Sequence, residues 1–247
     1  MKKTAIIYGF HAIKSRLRHY PDTLQEIYVD QERHDQRMQD IKALLEEKSI
    51  EFKHVDVQRL HGLTGTRRHQ GIVAIASAVP LINDIDHLVD TYQNNLLLLV
   101  LDGIQDPHNL GACLRVADAM GVHAIIAPKD RSVALSPTVA KVASGAMDMV
   151  PYIPVTNLAR TLRDLKDQQV WVIGTDDQAK DDIMNASFSQ PLAWVLGAEG
   201  EGLRRLTRET CDQLVRIPMF GSVESLNVSV AAGVCLYETK RREKSVV

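Results

Sequence analysis

Leu96-Leu97-Leu98-Leu99-Val100-Leu101 is six apolar residues with no polar interruption. A strand that faces water on one side alternates in polarity. One without alternation must be covered on both faces, which is the situation of a strand inside a parallel sheet. The run is far too short to span a bilayer. Further strand candidates follow at 123–127, 152–155, 170–175, 192–196 and 215–218, with helical stretches between most of them. That alternation predicts an α/β fold with a mainly parallel sheet and helices on both faces. Ligands of such sheets sit beyond the carboxyl ends of the strands.

The strand candidate at 192–196 runs into Gly197-Ala198-Glu199-Gly200-Glu201-Gly202, followed by an amphipathic stretch at 203–211. Three glycines in six residues require a tight turn or a close approach by a ligand. The order G-x-x-G-x-G is not the dinucleotide fingerprint, and no Gly-Lys-Ser/Thr follows. Glu199 and Glu201 would repel a phosphate held by backbone amides. The loop suits a neutral or cationic ligand, and taken alone it equally suits a plain strand-to-helix connection.

Val215-Arg216-Ile217-Pro218-Met219 is a strand closed by proline, followed by Phe220-Gly221-Ser222-Val223-Glu224. Ser225-Leu226-Asn227-Val228-Ser229-Val230 then opens the final helix. Leu226, Val230, Val234 and Tyr237 fall on one side, which predicts that this side is buried. Ser225 or Asn227 fits a helix cap. With Ser229, the three polar groups exceed what one cap requires.

Composition sets bounds. The 247 residues are 45% apolar and 24% charged, ordinary for a globular protein. Met1-Lys2-Lys3-Thr4-Ala5-Ile6 looks like the start of a secretory signal, but His11 and Lys14 cut its apolar stretch short and no small-residue cleavage site follows. Cys113, Cys211 and Cys235 are odd in number and widely spaced, which predicts reduced core thiols in a cytoplasmic protein, with neither disulfides nor a metal site. Net charge is −2, but residues 1–80 hold 13 Lys/Arg against 10 Asp/Glu and the remainder 16 against 21, giving +3 and −5. Basic spots lie at 14–19 and at Arg67-Arg68-His69; each also fits an ordinary solvated face. The surplus indicates which end to suspect of nucleic-acid contact without establishing it.

Residues 1–80 alternate helix and strand: helices near 11–19, 36–47 and 58–63, strands near 26–29, 51–55 and 71–76. That is a small α/β domain, assigned to 1–78, with 79–94 as a linker and the second domain at 95–247. In the second domain, Asp102-Gly103-Ile104-Gln105-Asp106-Pro107-His108-Asn109 leads into a helix at 110–120. Its packed face carries Leu110, Leu114, Ala117 and Gly121. Arg115 points away from that face, where a surface arginine paired with Asp118 is the plain alternative.

Asn109-Leu110-Gly111-Ala112-Cys113-Leu114-Arg115, then Leu196-Gly197-Ala198-Glu199-Gly200-Glu201-Gly202, then Ile217-Pro218-Met219 with Ser225-Leu226-Asn227-Val228-Ser229-Val230, resemble the three ordered motifs of the SpoU/TrmH branch of the SPOUT RNA methyltransferases. Tyr8-Gly9-Phe10-His11-Ala12, His69-Gln70-Gly71-Ile72, Asp106-Pro107-His108-Asn109 and Lys141-Val142-Ala143-Ser144-Gly145-Ala146 extend the likeness over nearly the whole chain. The resemblance implies an N-terminal domain like ribosomal protein L30e and a C-terminal domain tied in a trefoil knot, where general topology rules would give an unknotted sheet. It also implies S-adenosyl-L-methionine as cofactor, held by Gly197, Ile217 and Leu226 with Glu199, Gly202 and Ser222 nearby. The donor carries a sulfonium and no phosphate, in keeping with the acidic glycine loop.

The reaction implied is 2′-O-methylation of a guanosine ribose in the peptidyl-transferase P-loop of 23S rRNA, by a homodimer whose subunits complete each other's sites. Arg115 takes the central role, with Asn109, Ser225 and Asn227 orienting it and the ribose. Guanidinium is always protonated, so Arg115 reads as a cation that holds RNA phosphate and steadies the developing alkoxide. Arg67, Arg68 and His69 are the candidate RNA contacts; no membrane and no metal are expected. A tRNA ribose target, or a non-catalytic RNA-binding or ribosome-assembly role, are the competing readings.

Overall fold

The computed structural model describes residues 4–79 and 81–244. Met1, Lys2 and Lys3 of the signal-like start, and Pro80 in the expected linker, lie outside the described residues. The chain divides into two compact units, Met1–Pro80 and Leu81–Val247.

The first unit contains β1 (Thr4–Tyr8), α1 (Phe10–His19), β2 (Leu24–Asp30), α2 (Gln36–Glu47), β3 (Lys53–Val55), α3 (Val57–Thr64) and β4 (Ile72–Ser77). The sheet order is β1-β4-β2-β3, with β4 antiparallel to both neighbours and β3 parallel to β2. Alternation along the strands sorts the side chains. Ile27, Val29, Ile72 and Ala74 meet Ile13 and Leu17 of α1 and Met38, Ile41 and Leu45 of α2, while Tyr28 and Val73 face Leu60 of α3. Asp35 and Asp56 cap α2 and α3 by accepting the Met38 and Arg59 amides at 3.2 and 2.7 Å. The basic spot at 14–19 is not wholly a solvated face, because Arg16 is buried, its Nη1 3.4 Å from both Thr23 Oγ1 and the Ser77 carbonyl.

The second unit starts earlier than the sequence suggested. Half of the stretch expected as linker is α4 (Ile85–Tyr92), with Leu88 fully packed in a core. Asp84, inside the expected linker, is its N-cap and accepts the His87 amide at 2.8 Å. There follow β5 (Leu97–Asp102), α5 (Pro107–Ala119), β6 (Ala124–Pro128), α6 (Pro137–Ala143), β7 (Tyr152–Val155), α7 (Leu158–Asp167), β8 (Trp171–Thr175), β9 (Asp181–Asp182), β10 (Leu192–Gly197), α8 (Arg205–Thr210), β11 (Gln213–Arg216) and α9 (Val228–Lys244). The order is β7-β6-β5-β10-β8-β11-β9, and every pairing is parallel. Both faces are covered, as the unbroken apolar run requires: Leu97, Leu99, Leu101 and Trp194 lie in the core with α5 and α9, and Leu98, Val100, Ala193 and Val195 in the core with α4 and α7. The Trp194 indole donates to Thr239 Oγ1 at 2.9 Å, which ties α9 to the central strand.

The final helix corrects one expectation. Its buried face is Val228, Ala232, Cys235, Leu236 and Thr239, whereas Val230 and Tyr237, expected inside, are 51% and 60% exposed. Gly121, expected on the packed face of α5, is exposed beyond the helix end. Among the described residues no helix is long and apolar enough to cross a membrane.

Candidate active site

Because the large sheet is parallel, the loops after β5, β8, β10 and β11 all emerge at one edge. There the chain encloses a cavity of about 410 Å³, within the size range of small-molecule sites. Leu196, Leu203, Ile217, Leu226, Val228 and Ala231 give it apolar walls; Thr175 to Gln178, the glycine loop and Glu224-Ser225 supply polar groups. Six of the candidate catalytic and cofactor-binding residues meet here: Gly197, Glu199, Gly202, Ile217, Ser225 and Leu226. Asn109, Arg115, Ser222 and Asn227 do not line it.

The glycine loop has a specific construction. The Gly202 amide donates to the Ala198 carbonyl at 2.9 Å, and Gly200 and Gly202 adopt positive φ. A Cβ on Gly197 would stand 2.1 Å from the Gly202 carbonyl carbon, so the loop closes against its own first residue and only glycine fits. Its far side is anchored by Asp102, a residue that sequence reasoning passed over. Asp102 ends β5 fully buried, and its Oδ2 accepts the Arg204 backbone amide at 3.0 Å. The Arg204 Nε lies 3.5 Å from Oδ1, an ion pair more than a well-aligned hydrogen bond. The available signal was a lone carboxylate closing an apolar strand.

Charge at the cavity is lopsided. Asp176 is ion-paired with Arg208, but Glu199, Glu201 and Glu224 have no such partner among the described residues. Apolar walls that take an adenosine, backbone groups, and carboxylates that favour a cation fit S-adenosyl-L-methionine better than any phosphate ligand. No thiol competes for a chemical role: Cys113 and Cys211 are pushed up to about 12 by burial, and Cys235 is raised too by the same cause. Among the described residues no group of three or more His, Cys, Asp or Glu is arranged to hold a metal ion.

A polar link runs beside the cavity. Asn227 caps α9: its Oδ1 accepts from the Ser229 amide at 3.0 Å and the Ser229 hydroxyl at 2.7 Å. Its Nδ2 donates to Asn109 Oδ1 in the first turn of α5 at 2.8 Å. Thus Asn227, and not Ser225, is the cap. Arg115 is exposed on α5 and forms no ion pair among the described residues, so the plain alternative of a surface arginine paired with Asp118 is not what the structure shows.

In the N-terminal unit, Arg67 and Arg68 are exposed, but His69 is not the surface group that the sequence suggested. It is 3% exposed, its Nδ1 accepts the Gly71 amide at 3.1 Å, and its ring lies 4.9 Å from that of His61. Burial lowers its pKa, favouring the neutral ring. The adjoining Gln70 accepts the Phe10 amide at 3.1 Å, so the Gly9-Phe10 and His69-Gln70-Gly71 motifs form one clasp over the start of α1.

Comparison with known proteins fits this geometry. Residues 96–237 match the model of the SpoU rRNA Methylase family, and residues 6–81 match an RNA 2′-O ribose methyltransferase substrate-binding domain. The chain belongs to the SpoU rRNA methylase family. It is 60% identical over 247 residues to the 23S rRNA (guanosine-2′-O-)-methyltransferase RlmB of Ralstonia nicotianae, covering 100% of this chain and 99% of that protein. Among solved structures, an RNA 2′-O ribose methyltransferase superposes with a TM-score of 0.69 at 26% identity, covering 98% of this chain and 90% of the other. The SpoU methyltransferase AviRb of Streptomyces viridochromogenes, solved with AdoMet, shares the fold with a TM-score of 0.67 at 23% identity, covering 98% and 91%.

Proposed function

We propose that the protein methylates the ribose 2′-hydroxyl of a guanosine in 23S rRNA, using S-adenosyl-L-methionine and working in the cytoplasm as a homodimer. The observation that carries this reading is the meeting of the glycine loop, the β11 loop and the front of α9 around one acidic-rimmed cavity. Residues 81–247 are the methyltransferase domain, and residues 1–80 the RNA-delivering domain. Arg67 and Arg68 are its candidate phosphate contacts; their neutralisation should weaken RNA binding and flatten its salt dependence.

Gly197, Ile217 and Leu226 would hold the cofactor through their backbone, with Gly202 close by and Glu199 facing its positive charge. When bound, the cofactor supplies a methyl group on an already activated sulfonium leaving group. What the chain must add is alignment and help for a poorly acidic nucleophile. The apolar walls keep water from the methyl. The Arg115 guanidinium binds a phosphate of the substrate and stabilises negative charge developing on the ribose oxygen. The Asn109–Asn227 hydrogen bond fixes the two helix ends between which the ribose is oriented, with Ser225 on the cavity wall beside them.

Arg115 does not line its own chain's cavity, and this supports the dimer. The outward side of α9, with Met184 and Val116, forms an apolar hollow lined by Val230, Val234 and Tyr237. A two-fold pairing through that surface is suited to bring one subunit's Arg115 to the other's cavity. Arg115→Ala is expected to lower methylation of 23S rRNA by roughly a hundred- to a thousandfold, the scale of losing one charge-stabilising group. Equilibrium binding of S-adenosyl-L-methionine should stay within a factor of about two. Normal turnover by the variant would remove Arg115 from the mechanism. Mapping 2′-O-methyl groups on rRNA from cells with and without the chain tests the substrate, and a methyl lost from tRNA instead would redirect it.

A further inference from the structure

Phe220 is 91% exposed, more than any other large apolar side chain among the described residues. It adds nothing to either core of its unit. Its place is what matters. Met219 before it and Glu224 four residues after it both line the donor cavity. Phe220 therefore stands one Cα step, about 3.8 Å, from a wall residue, on a loop that leaves the rim and returns to it. Gly221 beside it has nothing within 4 Å of a Cβ position, so the loop tip is open to an incoming ligand.

We propose that Phe220 is a stacking platform for an unpaired nucleobase of the RNA substrate, placed so that the ribose to be methylated lies over the donor cavity. The inference rests on the RNA-methylation reading above. The chemistry selects the base over the other parts of RNA. A phenyl ring offers no hydrogen bond and no charge to phosphate, and Glu224 on the same loop repels it. A base taken out of its stack gains a flat apolar surface here, the usual way in which single-stranded RNA is read. Nor does the ring belong to the surface assigned to subunit pairing. The apolar hollow on α9 is lined by Val116, Ile183, Met184, Val230, Val234 and Tyr237, without Phe220.

The test uses the full-length protein, a 23S rRNA transcript and three variants, Phe220→Ala, Phe220→Leu and Phe220→Trp. Stacking on an aromatic ring predicts that the alanine and leucine variants lose roughly 5- to 100-fold in kcat/KM for RNA. The tryptophan variant should keep activity within about twofold, since it retains a stacking face. KM for S-adenosyl-L-methionine and the sedimentation coefficient should not move in any of them. Added RNA should quench the emission of Phe220→Trp beyond any change in the parent, which already carries Trp171 and Trp194. Full activity in Phe220→Ala, equal rescue by leucine, or a defect traced to cofactor KM or to subunit dissociation would each overturn the proposal. The quench needs no turnover, so its absence sinks the stacking role alone, whereas a parent protein that never methylates the transcript sinks the functional reading.

Discussion

His123 shows how one side chain carries a pH dependence without taking part in chemistry. It precedes β6, its Nδ1 accepts the Leu97 amide at 3.0 Å, and its ring stacks on Tyr92 with centroids 3.8 Å apart. Burial, helped by the positive charge of Lys240, pulls its pKa from the usual 6.5 down to about 4. Between those two values the unfolded chain binds the proton and the folded one does not. The contribution of neutral His123 is therefore complete above pH 6.5 and lost as pH falls from there through about 4, by at most about 1.4 kcal/mol per pH unit. His123→Asn keeps an acceptor for Leu97 but cannot titrate. Urea midpoints of the parent should fall more steeply from pH 6.5 to 5 than those of the variant. Parallel profiles would show that the ring accommodates its proton by another route.

At the scale of elements, the start of α9 joins stability to function through Asn227. Its Oδ1 caps the helix while its Nδ2 reaches Asn109. The two jobs are separable. Asn227→Ala loses both, at a cost of about 0.5–2 kcal/mol of stability for the cap. Asn227→Asp keeps the accepting oxygen and loses the donor, so stability should stay within about 0.5 kcal/mol of the parent while methylation falls. Equal losses of stability in the two variants, measured by denaturant unfolding, would refute that division. The same helix marks a limit of sequence reading. Leu226, Val228, Val230, Ala231, Ala232 and Val234 put apolar residues on both its sides, so periodicity cannot tell the side facing its own core from the side left exposed. β1 was missed for a related reason: it is an edge strand whose Ile6 and Tyr8 are 44% and 41% exposed, leaving no alternation to detect. β5 and β10 were legible because a strand covered on both faces has an unmistakable composition. The glycine loop was legible because only glycine tolerates the contact of Gly197 with Gly202. Asp102 was not, since its worth lies in Arg204, about a hundred residues along the chain.

For the whole molecule, the question is which chain's Arg115 serves which cavity. The three loops that build the cavity come from one chain, yet Arg115 of that chain sits on an exposed face outside its lining. One sequence cannot encode that separation, because a residue completing a partner's site looks like a surface residue of its own. Pairing of inactive variants decides the matter. Arg115→Ala leaves the cavity intact, and Leu226→Trp fills the cavity but leaves Arg115. In the homodimer proposed above, the two variants refolded together in equal amounts should give about half of the dimers with one chain of each kind. If the arginine acts across the interface, each mixed dimer has one complete site, made of the cavity from the first chain and the arginine from the second. About a quarter of all sites should then work, so methylation of 23S rRNA should return to roughly a quarter of the parent rate from two nearly inactive proteins. If the arginine acts within its own chain, a mixed dimer has no complete site and the mixture stays as inactive as its parts. Mixing without refolding is the control, and should recover activity only as fast as subunits exchange.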